Sequence, residues 1–513
     1  MSDAAATIDA SDLPEDPAAL KALLIAERTH RIELNAEVAR LLAIVAAFKR
    51  AMFGRRSEKL DPGQLELALE DTEQSFGEER AGADAALKAA RGDRQRRGNR
   101  GALPAHLPRI EVVVEPESRT CPCCGGALHA IGEDVSERLD VIPARVRVIL
   151  TRRPKYACRA CAEGVVQAPA PERLIPGGLP TEAMVAHLLV SKYADHLPLY
   201  RQAQIYARQG LMLDRSTLAD WVGRAAWELR PVHARLVEIL KASPKLFADE
   251  TKAPVLDPGR GRTKTGWLWA IARDDRPWCG PDPPAVAYLY ATGRGAEHAA
   301  THLDGFDGVL QVDGYAAYRR LAAPALAYCW SHCRRKFYDI AEAGHAPIAE
   351  EALRRIAALY AVEAEIRGTD PERRRTGRRA RSKPIVDDLR AWLETSLGRL
   401  SGRSRLADAI RYTLKLWDGL TRFLEDGRIE LDTNTVERTI RPIALNRKNA
   451  LFAGSDIGGE HWAVIASLVE TCKLNDLDPH AYLADVLTRI GEGHPQSRID
   501  ELMPWDYEPT ATV

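Results

Sequence analysis

Between residues 18 and 52 apolar side chains recur in alternating steps of three and four: Leu24, Leu34, Val38, Leu41, Val45, Phe48 and Met52, broken at Glu27 and Arg31. That spacing predicts one helix with a coiled-coil seam, the alternative being an amphipathic helix packed on a core. A glycine in Phe53-Gly-Arg-Arg-Ser-Glu-Lys-Leu ends it. From residue 110 the period shortens to β-like alternation, in Ile110 to Val114 and Val146 to Thr151. A helical pattern returns over 181–241. Within it, Leu199 to Arg208 and Ser216 to Glu228 read as two helices joined by Gln209-Gly-Leu-Met-Leu-Asp-Arg. A glycine-containing turn followed by a serine N-cap is what a helix-turn-helix requires, although such pairs are also ordinary in helical domains.

From 245 the chain turns strand-rich. Lys245 to Ala248, Trp267 to Arg273 and Ala285 to Ala291 read as strands joined by Pro/Gly/Asp turns. A helix near 295–303 and a strand at Gly308 to Val312 follow, which predicts a mixed sheet with helices packed on it. Residues 347–426 read as helical, interrupted by a basic segment, and 434–490 as mostly helical again. No internal repeat of fixed period is present. The fold class expected is a multidomain α+β protein.

Length supports that division: 513 residues predict three or four units at roughly 150 residues each. Charged residues at 28% and hydrophobic ones at 45% exclude a wholly disordered chain. The longest clean apolar run, Leu41 to Phe48, is too short to cross a membrane. The acidic N-terminus has no basic segment leading into an apolar one, so no secretory signal is expected. Nine cysteines, four of them in two Cys-x-x-Cys pairs, point to a reducing cytoplasm and a metal rather than to disulfides.

The 72 basic and 72 acidic side chains cancel, yet they are unevenly placed. Residues 1–20 carry a balance of −5 and residues 61–80 of −6, whereas 90–109 reach +5 and 371–383 reach +6. Blocks of like charge are ordinarily solvated segments. Arg-rich, acid-poor stretches also contact phosphate backbones, where each neutralised phosphate releases counterions. Neutrality excludes a uniformly basic coat for DNA and no more.

Cys121-Pro-Cys-Cys124 and Cys158-Arg-Ala-Cys161 supply two pairs of thiols separated by 33 residues. Two such pairs complete a tetrahedral all-thiolate zinc ribbon with no open position, which makes the expected Zn2+ structural. Reduced, unligated cysteines are the alternative. Cys329-Trp-Ser-His332-Cys333 lacks a second half and reads as packing around a sheet.

Two acids end apolar strands: Asp249 in Phe247-Ala-Asp249-Glu-Thr, and Asp313 in Gln311-Val-Asp313-Gly-Tyr. Carboxylates side by side at a sheet rim are costly unless cations share them. Glu437 stands in Asn434-Thr-Val-Glu437, a pattern that also fits a capping box. Arg438, Arg441, Arg447 and Lys448 crowd the turns after it, a basic strip suited to a polyanionic substrate.

Taken together, these motifs resemble the transposases of the bacterial insertion-sequence-66 family, DDE transposases with a ribonuclease-H-like core. The resemblance runs through Phe53-Gly-Arg-Arg-Ser-Glu-Lys-Leu, Arg100-Gly-Ala-Leu-Pro-Ala-His-Leu-Pro-Arg and the four ribbon cysteines. It continues in Asp249-Glu-Thr, Leu256-Asp-Pro-Gly-Arg-Gly-Arg-Thr-Lys-Thr-Gly, Val312-Asp-Gly-Tyr and Cys329-Trp-Ser-His-Cys-Arg-Arg-Lys-Phe. Glu437-Arg-Thr-Ile-Arg-Pro-Ile-Ala-Leu, Leu451-Phe-Ala-Gly-Ser-Asp, Lys473-Leu-Asn and Ile499-Asp-Glu-Leu-Met-Pro-Trp complete it. Two positions depart: Thr433 stands where a second Asn is common, and Cys333 where a small or aliphatic residue is usual.

The resemblance implies that Asp249, Asp313 and Glu437 hold two divalent ions, Mg2+ or Mn2+, for cleavage and joining of DNA at the ends of an insertion sequence. It implies six segments: a coiled-coil helix at 18–60, a charged linker at 61–109, a zinc ribbon at 110–175 and a helical DNA-binding region at 180–241. A ribonuclease-H-like core at 245–465, with a helical insertion at about 345–426, and a C-terminal region at 466–513 follow. DNA contacts are expected from Arg215, Ser216 and Thr217 and from Arg438, Arg441, Arg447 and Lys448. Expected partners are the element's terminal inverted repeats, target DNA, a second copy or more of the chain, and two small accessory proteins; no membrane is expected. The place is a bacterial cytoplasm, at the nucleoid. Two rivals stand beside this reading: a zinc-ribbon, helix-turn-helix regulator without catalysis, and a ribonuclease-H-like nuclease or resolvase without strand transfer.

Overall fold

The computed structural model describes residues 16–17, 19–21, 28, 31, 146–157, 165–175, 178–257 and 262–508. The zipper seam, the linker 61–109, the strand at 110–114 and Cys121, Cys124, Cys158 and Cys161 lie outside the described residues. Two short strands, β1 (Lys155–Ala157) and β2 (Val165–Gln167), pair antiparallel with Lys155 opposite Gln167. The connection between them carries the second cysteine pair. The strand expected over Val146 to Thr151 does not form, and Val148, Ile149 and Leu150 stand exposed. β-branched alternation makes a strand only where a neighbour takes up its backbone groups and covers one face.

Three helices follow: α1 (Glu182–Tyr193), α2 (Leu199–Arg208) and α3 (Arg215–Lys241). α2 has its expected bounds. α3 corrects the sequence reading at both ends, with Asp214 rather than Ser216 at the N-cap and the helix running on through Pro231. Its buried stripe explains the extension: Leu218, Val222, Ala225, Leu229, Val232, Leu236 and Leu240 keep helical spacing beyond residue 228. Burial of that stripe outweighs the hydrogen bond that Pro231 removes.

The main sheet has five strands in the order β5-β4-β3-β6-β7. β3 (Lys245–Asp257), β4 (Arg262–Arg273) and β5 (Ala285–Ala291) form an antiparallel meander. After α4 (Ala296–His302), β6 (Val309–Val312) returns parallel to β3, and β7 (Ala325–Tyr328) lies parallel to β6. This is the expected mixed sheet with one strand added and with β3 and β4 longer than expected, since they pair with each other from Phe247 opposite Ala272 out to Asp257 opposite Arg262. β7 is short and alanine-rich, so its composition carried no strand signal.

Helices α5 (Trp330–Ala341), α6 (Pro347–Ile366), α7 (Pro371–Gly377), α8 (Lys383–Gly398), α9 (Arg405–Lys415) and α10 (Trp417–Thr421) come next. α11 (Asn434–Ala450), α12 (Asp456–Leu474) and α13 (Pro479–Gly491) close the order. α12 seals the sheet edge: Ser467 Oγ accepts from the Tyr288 N–H of β5 at 2.7 Å, and Thr471 Oγ1 from the Val286 N–H at 3.2 Å. An edge strand satisfied by helix side chains is no longer a template for another chain.

Apolar packing forms two clusters among the described residues. One joins α1, α3, the sheet and α11 to α13, through residues such as Leu229, Leu268, Ile443 and Ile465. The helical stretch 182–241 therefore shares its core with the sheet. The other lies within α5 to α10, around Trp330, Phe337, Ile356, Leu389, Ile410 and Phe423. Its two chain ends are tied together, as the Trp330 N–H donates to the Leu431 carbonyl at 2.8 Å and the Thr433 N–H to Cys329 Sγ at 3.3 Å.

The basic stretch 371–383 is not a solvated loop, and two of its arginines are turned into the interior. It is helical throughout, with a π-turn at Arg378–Ser382 between α7 and α8. Arg374 and Arg378 are fully buried. Arg378 grips Glu363 through Nε at 2.6 Å, and Arg374 reaches Glu430 at 2.6 Å. Arg375, Arg379, Arg381 and Lys383 pair with Glu372, Glu425, Glu365 and Asp387. The acids that neutralise this block lie mostly outside it in sequence, so a local charge count missed them.

Candidate active site at the rim of the sheet

Asp249 lies inside β3, opposite Ala270 of β4, because β3 runs on past the expected end at Ala248 to Asp257; Asp313 directly follows β6. Phe247 pairs with Gln311, the last paired position of the parallel ladder and two residues before each aspartate. The charge of Asp313 is felt at the Asp249 carboxyl. Both residues are partly buried. Asp313 Oδ1 accepts from the Tyr315 N–H at 2.7 Å, and the Tyr412 hydroxyl donates to the Asp313 carbonyl at 2.9 Å. Gly314, at φ +96, makes the turn that this geometry needs, where a side chain would be strained and would strike Leu416.

Glu437 enters from the first turn of α11, which packs on β3. The capping-box alternative is not realised. Thr433, not Asn434, is the N-cap, and its N–H goes to Cys329 Sγ rather than to a carboxylate. Glu437 Oε1 instead accepts from the Thr433 hydroxyl at 3.0 Å, so the threonine found where an asparagine was expected supports this carboxylate.

The charges of the three acids are felt together. Burial first, then the charge of Glu250 and those of Asp313 and Glu437, push the Asp249 carboxyl up to about 8, against one backbone hydrogen bond. Such a cluster favours either a shared proton or a bound cation.

Glu250, next to Asp249, is differently placed. Its carboxylate accepts from the Tyr318 hydroxyl at 2.6 Å and from Arg294 Nε at 2.6 Å. Arg294 stacks on Tyr315, 3.8 Å from the ring centre, and Tyr315 donates its hydroxyl to the Arg294 carbonyl at 2.9 Å. This chain of contacts fixes the loop after Asp313. Sequence reasoning missed Glu250, Arg294 and Gln311. The side-chain amide of Gln311 is fully buried against the backbone of Glu430. The one available signal was a polar residue inside an otherwise apolar strand.

His332, read from sequence as packing, is partly exposed, and its Nδ1 lies 3.8 Å from Glu437 Oε1. Cys329 and Cys333 are buried, in line with packing against the sheet.

The seven basic-helix and helix-start positions divide. Arg215, Ser216, Arg438, Arg441 and Lys448 are exposed, and Thr217 is partly so. Arg447 is a strut, donating from Nη1 to Thr251 Oγ1 at 3.1 Å and to the Lys252 carbonyl at 2.5 Å.

An acid inside β3, an acid directly after β6, a third acid from a helix and neighbouring exposed cations make a candidate acidic site beside a surface suited to polyanions, although the oxygens of the three acids do not gather within 4.8 Å of one another. Comparison with known proteins gives this class its family. Residues 177–461 match the description "Transposase IS66 family", and residues 467–505 the "IS66 C-terminal element". Residues 118–162, which include all four ribbon cysteines, match the "zinc-finger binding domain of transposase IS66". Residues 40–112 match "Transposase C of IS166 homeodomain".

The chain belongs to the IS66 transposase family. Among similar proteins, uncharacterized protein y4jD of Sinorhizobium fredii is 48% identical over 490 residues, covering 93% of this chain and 96% of that protein. Uncharacterized protein y4qI of the same organism is 45% identical over 538 residues, covering 98% and 99%. Family membership makes this a transposase with a zinc-finger segment and DNA as its partner. No helix among the described residues is long and apolar enough to cross a membrane.

Proposed function

We propose that this transposase cleaves and joins DNA at the ends of an insertion sequence by two-metal-ion phosphoryl transfer, on a ribonuclease-H-like core. The observation that carries the reading is that Asp249 and Asp313 each stand two residues beyond the paired Phe247 and Gln311, and that the charges of Asp313 and Glu437 are both felt at Asp249. The donor set fits hard divalent ions: three carboxylates, of which Asp249 keeps its proton chiefly through burial, with the neighbouring acids adding to it, until a cation replaces it. Mg2+ or Mn2+ bound there supplies Lewis acidity at the attacking and leaving oxygens of an in-line displacement. The protein's own part is positional. Tyr315 and Tyr412 fix the Asp313 turn, Thr433 orients Glu437, and the ladder of β3 and β6 sets the spacing of the aspartates.

In this reading Cys121, Cys124, Cys158 and Cys161 hold Zn2+, and the ribbon with Arg215, Ser216 and Thr217 recognises the terminal repeats. Arg438, Arg441 and Lys448 meet DNA phosphates beside the acids. The zipper joins two copies so that both element ends are handled together, with two small accessory proteins of the same element assisting at the nucleoid.

The test is Asp249→Asn in the full chain, with DNA carrying the element's ends. Strand cleavage should be lost while end binding in a gel shift is kept. Cleavage at the wild-type rate would refute the assignment, and nicking without joined products would favour a nuclease instead.

A further inference from the structure

Among the described residues, one set of ligand-type atoms converges on Glu437. Cys329 stands at the N-cap of α5 and His332 one turn further on, so the two side chains share a face. Cys329 Sγ, a His332 ring nitrogen and a Glu437 carboxylate oxygen lie within 4.8 Å of one another. Two ligands on a tetrahedral zinc ion stand roughly 3.5 Å apart, so a closure of about an ångström brings all three onto one ion.

A second observation points the same way. His332 Nδ1 is buried without a hydrogen-bond partner, and it faces Glu437 Oε1 across 3.8 Å. That gap is too wide for a hydrogen bond and near the separation of two ligands on one ion. The Thr433 N–H donates to Cys329 Sγ, a contact that steadies a bound thiolate. Cys329 forms the floor at 1% exposure, while the His332 and Glu437 side chains are 36% and 37% exposed and leave an entry path.

The donor set selects the ion. Magnesium takes oxygen ligands and keeps its waters, whereas sulfur, imidazole nitrogen and carboxylate together suit zinc. We propose that Cys329, His332 and Glu437 form a zinc-selective site, distinct from the ribbon, whose occupancy withdraws Glu437 from Asp249 and Asp313 and stops magnesium-dependent cleavage. Binding displaces the Cys329 thiol proton to solvent. The effect on cleavage rests on the function proposed above; the binding of zinc does not.

The full chain, stripped of metal and titrated with Co2+, tests the binding through the thiolate-to-cobalt charge-transfer absorption. Cys329→Ser should bind one thiolate-held cobalt fewer per chain than wild type. His332→Asn, at a half-exposed position that spares the core, should weaken that same cobalt by at least about tenfold. Unchanged cobalt binding in both variants would overturn the site. Zinc added to the magnesium-dependent cleavage assay should inhibit wild type. Each variant, measured against its own zinc-free rate, should need at least about tenfold more zinc. Equal zinc sensitivity in all three proteins would overturn the withdrawal of Glu437. Failure of Asp249→Asn to abolish cleavage would sink the proposed function alone, since the cobalt count does not depend on it.

Discussion

The side chain of Gln311 and the main chain of Glu430 hold each other in both directions. The amide N–H of Gln311 donates to the Glu430 carbonyl and its oxygen accepts from the Glu430 N–H, each at 2.9 Å. Gln311 precedes Asp313 on β6, and Glu430 lies on the chain leading into the Glu437 helix. One buried amide thus ties the strand that carries the second aspartate to the segment that delivers the glutamate.

Gln311→Leu should therefore damage both stability and activity. It leaves two buried backbone groups unpaired, at about 1–3 kcal/mol for each. Chemical denaturation should show a loss on the order of 2–4 kcal/mol with an unchanged denaturant slope. Cleavage should fall further than the folded fraction explains, because the aspartate and glutamate lose their common anchor.

The raised Asp249 carboxyl sets a pH dependence. Its folded value of about 8 lies above the ordinary 3.8, so the folded protein holds this proton where the unfolded chain has lost it. Without divalent ions, stability should fall as pH rises from about 4 to about 8. A bound cation replaces the proton, so affinity for Mg2+ should strengthen with pH up to about 8 and binding should release a proton. Calorimetry in buffers of different ionisation enthalpy reads that proton. Asp249→Asn should remove it.

The two groups of arginines should behave oppositely. Arg378→Met strands Glu363 in the interior and should cost about 3–5 kcal/mol, with little change in DNA affinity per folded molecule. Arg438→Ala with Arg441→Ala should leave the melting temperature nearly unchanged. That pair should lower DNA affinity and reduce the salt slope by about one per residue removed. If Arg378→Met were the weaker DNA binder and the exposed pair neutral, the surface assignment would be wrong.

His233 predicts a loss of stability in acid. Burial depresses its pKa from 6.5 to about 4, and its ring Nε2 is 3.0 Å from the Tyr288 carbonyl. The folded state therefore excludes a proton that the unfolded chain takes up between pH 6.5 and 4. Stability should decline as pH falls through that window, by an amount on the order of 2 kcal/mol. His233→Gln, which keeps a donor for the carbonyl, should flatten that part of the melting-temperature profile.

Legibility in the sequence followed the range of the forces involved. Strands such as Ala285–Ala291 and helices such as Leu199–Arg208 were readable because local apolar spacing alone defines them. Asp249 and Asp313 both read as strand-end acids; Asp313 does follow β6, but β3 runs on through Asp249 to Asp257 because β4 pairs along it, which local sequence does not tell. Arg374 and Arg378 were misjudged for a related reason: their counter-charges, Glu363 and Glu430, arrive from other helices and from beyond the insertion. The partnership of His332 with Glu437 spans a hundred residues and belongs to the tertiary structure alone.

The tie between Cys329 and Thr433, reinforced by the Trp330–Leu431 bond, closes the neck of everything in between. The intervening helices bury their own apolar cluster. Loop-closure entropy grows only with the logarithm of length, so a fastened neck makes the size of the cassette above it nearly irrelevant below. Chain can be inserted or trimmed at the far end of the cassette while its base, through Tyr412 on the Asp313 carbonyl and Arg374 on Glu430, keeps its hold beneath. The core is thereby a socket, and the cassette grips it by that base.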